Sequence, residues 1–182
     1  RNNPLRLVDK NGEKVSEYQP YYSRSGIYNT GDPIGNYRGL TIHSGGQLWG
    51  TGQHDYQCVS FCQSFSSTQY GVDLSGTGHA FAYGNQSNIN ESFQRNNPDN
   101  PGQYTVYGNN GMVMPQENDI ISWSGGKYGH VGVIAEVVFD ANSGTGYVYT
   151  IEQNASRNQG IFYQSLTQTY NDQGEALYTV EG

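Results

Sequence analysis

Chemistry at neutral pH needs a nucleophile or a group that moves protons, and this chain offers few: two cysteines, Cys58 and Cys62, and four histidines. Cys58 lies in Tyr56-Gln57-Cys58-Val59-Ser60-Phe61-Cys62, after a glycine-rich approach over 50–55 and at the head of an apolar-periodic segment. A thiol just inside the start of a helix gains from the partial positive charge of unpaired backbone N–H groups, which favours the thiolate. His130 heads Gly129-His130-Val131-Gly132-Val133-Ile134, and Glu152 and Asn154 follow in Ile151-Glu152-Gln153-Asn154. Nucleophile, base and orienting group are then all present.

Position decides whether they meet. If His130 and Glu152 lie on adjacent strands joined by the turn near Asn142 to Gly146, they are cross-strand neighbours, and strand alternation puts Glu152 and Asn154 on one face. His130 would take the thiol proton, or pair with a thiolate, and Cys58 would attack an amide carbonyl to give a thioester that water hydrolyses. Glu152 or Asn154 would hold the imidazole through its distal nitrogen. The Cys58 backbone N–H with the side-chain amide of Gln57 or Gln53 would stabilise the oxyanion, at about 3 kcal/mol per donor. Trp123 and Tyr128 flank the histidine strand, as stacking surfaces for a sugar or peptide or as core and turn residues.

Other readings of the same residues are less demanding. Cys62, one turn after Cys58, is expected to be core packing. His54, Cys58 and Cys62 repeat every four residues and could hold zinc if the helix began early, but 50–55 reads as a loop and a closed site needs four ligands, so no metal or other cofactor is expected. His79 is expected to be structural or exposed, and His43 a surface histidine.

These side chains need elements to carry them. Residues 1–45 alternate short apolar pieces with Gly, Pro, Asn and Ser, which reads as an extended arm with turns and one short strand at most. From Asp55, a candidate N-cap, to Tyr70 the spacing of Val59, Phe61, Cys62 and Phe65 predicts a helix that Gly71 stops. A short helix over 78–83 follows, then a polar stretch over 84–111 read as a long surface loop with one helical turn near 89–93 and a possible wall of the site. After Pro115, strands are expected over 119–123, 129–139, 146–153, 161–166 and 176–180. The expected fold class is α+β, with N-terminal helices packed on a C-terminal antiparallel sheet, in one domain over 1–182.

Composition excludes some functions. A net charge of −7 with nine Lys and Arg argues against a sequence-independent nucleic-acid binder. No apolar run reaches the roughly 18 residues a membrane span needs. Arg1 in place of Met suggests a processed or excised piece, and the polar, Lys-poor, Tyr- and Asn-rich composition points to a secreted, cell-wall or periplasmic location in a bacterial or phage setting.

Taken together, Tyr56 to Phe61, Asn118 to Trp123, Gly129 to Ile134 and Ile151 to Asn154 resemble the CHAP family of cysteine, histidine-dependent amidohydrolases and peptidases, over roughly residues 48–180. The resemblance implies a papain-like fold of the NlpC/CHAP type, Cys58 as nucleophile, His130 as base, and Glu152 with Asn154 in the third and supporting positions. It implies a peptidoglycan amidase or endopeptidase as the first expectation, with a small amide such as glutathionylspermidine, or a non-catalytic wall-binding role, as alternatives. A separate wall-binding domain or secretion machinery is the partner it suggests. Asn118 departs from the usual Gly before Asp, a turn position, and the clustered acidic residues that hold calcium in some phage members are missing before Cys58.

Overall fold

The computed structural model describes residues 18–21, 28–45, 57–99, 104–155 and 159–181. Its first element is a sheet. Strands β1 (Tyr18–Pro20), β2 (Pro33–Tyr37) and β3 (Leu40–His43) pair antiparallel in that order. Tyr37 pairs with Leu40 across a two-residue turn in which Arg38 and Gly39 have φ of 49° and 81°, the left-handed pair that matches strand twist in a tight hairpin. The arm expected over 1–45 is thus corrected where it is described: single apolar residues between Gly, Pro and Asn gave no visible period, yet Ile34, Tyr37 and Ile42 are buried. Tyr37 stacks on Phe65 of the first helix, with ring centroids 6.0 Å apart.

That helix, α1 (Cys58–Tyr70), is stopped by Gly71 at φ 65°, as its position suggested. It is capped by Gln57 and not by Asp55, which lies outside the described residues. Phe61, Cys62 and Phe65 form its buried stripe. A 3-10 helix (Ala80–Gly84) follows. The long loop expected over 84–111 is corrected by α2 (Gln86–Asn96), three turns rather than one. Its polar composition concealed it, but Asn85 accepts the Ser87 and Asn88 N–H groups as an N-cap, and Ile89, Ser92 and Phe93 give the one buried stripe it needs.

The C-terminal third is a five-stranded antiparallel meander of β4 (Ile120–Trp123), β5 (His130–Asp140), β6 (Thr145–Ile151), β7 (Ile161–Tyr170) and β8 (Ala176–Glu181). Strand alternation gives it two apolar faces. Val131, Val133, Ile151 and Ile161 pack with α1 and the first sheet, whereas Ile134, Val148 and Leu166 form a second cluster closed by Met114, Tyr178 and Val180. A bulge between Ile134 and Glu136 keeps Ala135 in the first core. The helices therefore precede and pack on the C-terminal sheet, but they are not N-terminal, because the three-stranded sheet comes first. Among the described residues no helix is long and apolar enough to cross a membrane.

Candidate active site

Cys58 is the first residue of α1 and 8% exposed. Its position is set by Gln57, whose extended backbone turns the chain into the helix. The Ser60 hydroxyl accepts the Gln57 N–H at 3.2 Å and donates to the Gln57 carbonyl at 2.8 Å, so the turn is fixed from within the helix.

His130 opens β5 and pairs with Trp123 of β4, whose ring stacks on the imidazole with centroids 5.7 Å apart and planes 26° from parallel. Nε2 of His130 lies 2.9 Å from Oε2 of Glu152. The ring also hydrogen-bonds the Cys58 thiol, and with Nε2 engaged by Glu152 this leaves Nδ1 to face the sulfur. Burial disfavours the imidazolium, but the bonds and charges of Cys58 and Glu152 outweigh it and raise the His130 pKa from 6.5 to about 9.

Glu152 is 5% exposed, and a buried carboxylate needs its oxygens satisfied. Oε2 faces His130, while Oε1 accepts the Thr150 hydroxyl at 2.5 Å and the Gln164 side-chain amide at 3.2 Å. Glu152 follows the last residue of β6, and its carboxylate reaches His130 over Gly132, where an added Cβ would lie 2.8 Å from the Glu152 Cγ. A side chain at 132 would occupy the route of the carboxylate.

Asn154 departs from the alternation expected of it. The strand ends at Ile151 and Asn154 has φ 64°, and its side-chain amide donates to Oε1 of Gln57 at 2.8 Å. The structure therefore brings Glu152 to His130 and Asn154 to Gln57. Gln53 lies outside the described residues, as does His54 of the zinc alternative. Among the described residues no three His, Cys, Asp or Glu side chains gather in a metal-binding group.

Cys62 is fully buried, and burial, with the neighbouring Cys58 and Glu152, pushes its thiol pKa up. His79 is exposed and lies against Tyr128 and Phe81, with centroids at 4.8 and 5.9 Å. His43 is not the surface histidine expected: it is half-buried, and its Nδ1 donates to the Gly31 carbonyl at 2.9 Å.

Three residues of this network were missed in the sequence. Gln164 holds the carboxylate from β7, and that cross-strand register is invisible until β6 and β7 are paired, whereas Thr150 stands two residues before Glu152 on β6, where strand alternation puts both on one face. Gln153 is 2% exposed, accepts the His43 N–H and donates to the Gln57 carbonyl, both at 3.0 Å. Its place between Glu152 and Asn154 was its only signal.

A buried thiol at a helix start, bonded to an imidazole whose far nitrogen is held by a carboxylate, has what proton transfer from sulfur and attack on a carbonyl require. No curated protein and no solved structure was found to match the chain. The family model described as CHAP domain matches residues 49–154, which include the helix start, the histidine strand and the Glu152 to Asn154 segment. With more than half of its length matched, the chain belongs to the CHAP domain family of cysteine- and histidine-dependent amidohydrolases and peptidases, whose fold is papain-like.

Proposed function

We propose that this protein is a peptidoglycan hydrolase, a cysteine amidase or endopeptidase that cuts an amide bond of the cell-wall peptide, acting as one catalytic domain outside the cytoplasm. The observation that carries the chemistry is His130 held between Cys58 and Glu152. Family membership supports a wall substrate. The half-exposed Phe81, with His79 and Tyr128, adds an aromatic surface near the head of β5.

In this mechanism the Cys58 proton passes to Nδ1 of His130, and the sulfur adds to the amide carbon. The carbonyl oxygen takes the negative charge and is met by the Cys58 backbone N–H, one of the unpaired donors of the helix start. Gln57 is the second donor: Asn154 occupies its Oε1, which leaves its NH2 group to face the substrate. His130 then returns the proton to the leaving nitrogen as the C–N bond breaks, and a thioester remains on Cys58. Water, deprotonated by His130, attacks the thioester and releases the carboxylic acid and the free thiol. Glu152 fixes the tautomer and stabilises the imidazolium throughout. Trp123, stacked on His130, holds the ring plane and needs no direct substrate contact for that role.

The test is digestion of purified sacculi with mass spectrometry of the products, in wild type, Cys58→Ala and His130→Ala. New termini from the stem or cross-bridge peptide, or peptide freed from the sugar, are expected with wild type alone. Glutathionylspermidine hydrolysis with intact sacculi would assign the small-amide reading. Inertness towards both, with ordinary iodoacetamide reactivity at Cys58, would assign a wall-binding module.

A further inference from the structure

Gln153 sits where three parts of the molecule meet. Its Oε1 accepts the backbone N–H of His43, the last residue of β3, and its Nε2 donates to the carbonyl of Gln57, the N-cap of α1. A glutamine side chain offers one acceptor oxygen and one donor nitrogen, and both are engaged here in a position 2% exposed. Its neighbours serve the same site, since Glu152 holds His130 and Asn154 holds the Gln57 side chain. Three consecutive residues thus clamp the base, the helix start and the first sheet.

The first sheet lies outside the family match, which begins at residue 49. It nevertheless approaches this segment closely. At Gly45 an added Cβ would lie 2.4 Å from the Asn154 Cα, and at Gly160 one would lie 2.9 Å from Ile42 Cγ2. The first contact brings the chain just after β3 against the Asn154 backbone, and the second seats the Ile42 side chain on Gly160, whose carbonyl accepts the Glu152 N–H, so both hold the first sheet against the Glu152 to Asn154 segment.

We propose that Gln153 is a positioning residue that makes the three-stranded sheet a working part of the catalytic centre, by locking the Gln57 peptide unit and hence the thiol and backbone N–H of Cys58. The proposal rests on the hydrolase reading above for its activity assay, though not for its thiol assay. Loss of the Gln57 bond would free the first turn of α1 to shift relative to His130, and small misplacements of reacting groups cost large factors in rate.

Two variants test it. Gln153→Met conserves volume and removes both bonds. Per folded molecule, it is expected to lower iodoacetamide alkylation of Cys58 about fivefold and sacculus hydrolysis at saturating substrate at least about tenfold. A residue that only stabilised the fold would lower the melting temperature and leave both rates unchanged. Gln153→Glu carries the second readout. A protonated carboxyl has the acceptor and donor of the amide, whereas its anion lacks the donor, and burial raises a carboxyl pKa. The alkylation rate of Gln153→Glu relative to wild type is expected to rise about tenfold between about pH 8 and about pH 5. A Gln153→Met protein with both rates within about twofold of wild type, or a flat Gln153→Glu ratio, would overturn the proposal. Inert wild type towards sacculi would instead count against the hydrolase reading, leaving the alkylation result to judge Gln153.

Discussion

The carboxylate of Glu152 reaches His130 across a glycine, Gly132, whose missing side chain leaves the path open. Gly132→Ala should therefore damage the site without touching a reacting atom. Its Cβ would stand 2.8 Å from Glu152 Cγ, so the carboxylate must move, and a fall of at least about tenfold in kcat is expected. Steady-state kinetics beside a thermal melt checks it: a lowered Tm with unchanged kcat would show that Glu152 has room to adjust.

The pH profile follows from His130, whose pKa is raised from 6.5 to about 9 by Cys58 and Glu152 against the cost of burial. A raised folded-state value means that the stabilising charge interaction is fully present below about 6.5 and is lost as the pH rises through about 9. The ion-paired form should disappear over the same window, so kcat/KM is expected to hold through neutral pH and to fall with an alkaline limb near 9. In Glu152→Gln that limb should move towards 6.5, the ordinary value, and kcat should drop about 10²-fold. A limb that stays in place would remove Glu152 from the proton chemistry.

Trp123 tests whether the imidazole plane needs support. Trp123→Phe keeps an aromatic face against His130 and should retain activity within a few-fold, whereas Trp123→Ala should lower kcat about tenfold with a smaller change in KM. Loss mainly in KM would place Trp123 on the substrate instead.

The two cysteines should separate by accessibility. Cys62 is fully buried with its pKa raised, so the native protein should take up one equivalent of iodoacetamide, at Cys58, and the unfolded chain two. Peptide mapping decides it. Rapid native labelling of Cys62 would show that α1 opens from the sheet.

The candidate site was legible because its residues are rare and ordered: one cysteine at a helix start ahead of one strand-borne histidine, and an acid just past the end of the next strand. The C-terminal meander was legible for a similar reason, since Val131, Val133 and Ile134 or Tyr147 and Tyr149 declare strands by type and alternation. What stayed hidden depends on tertiary partners. Ile34, Tyr37 and Ile42 acquire meaning only once Phe65 and β5 are beside them, and α2 owes its existence to Asn85 and a three-residue stripe within a polar run. Asn154 shows the limit of period-two reasoning, because a left-handed residue after the strand end redirects its side chain from His130 to Gln57. Asn118 shows the opposite: its φ of 76° is the conformation that glycine would favour at that turn, and asparagine tolerates it.

The bulge at Ala135 divides β5 into two stretches with different obligations. Before it, Val131 and Val133 pack in one cluster with Cys58, α1 and the first sheet, on the stretch of strand that starts at His130. Beyond it, the β5–β6 hairpin runs out to a turn over Asp140 to Gly144, where Ala141, Asn142 and Ser143 are exposed. The exposed tip of this hairpin, Ala141 to Ser143, is the place for a change in length, a fused partner or a label, because the strands below it are held by Val137, Phe139 and Val148 in the second apolar cluster.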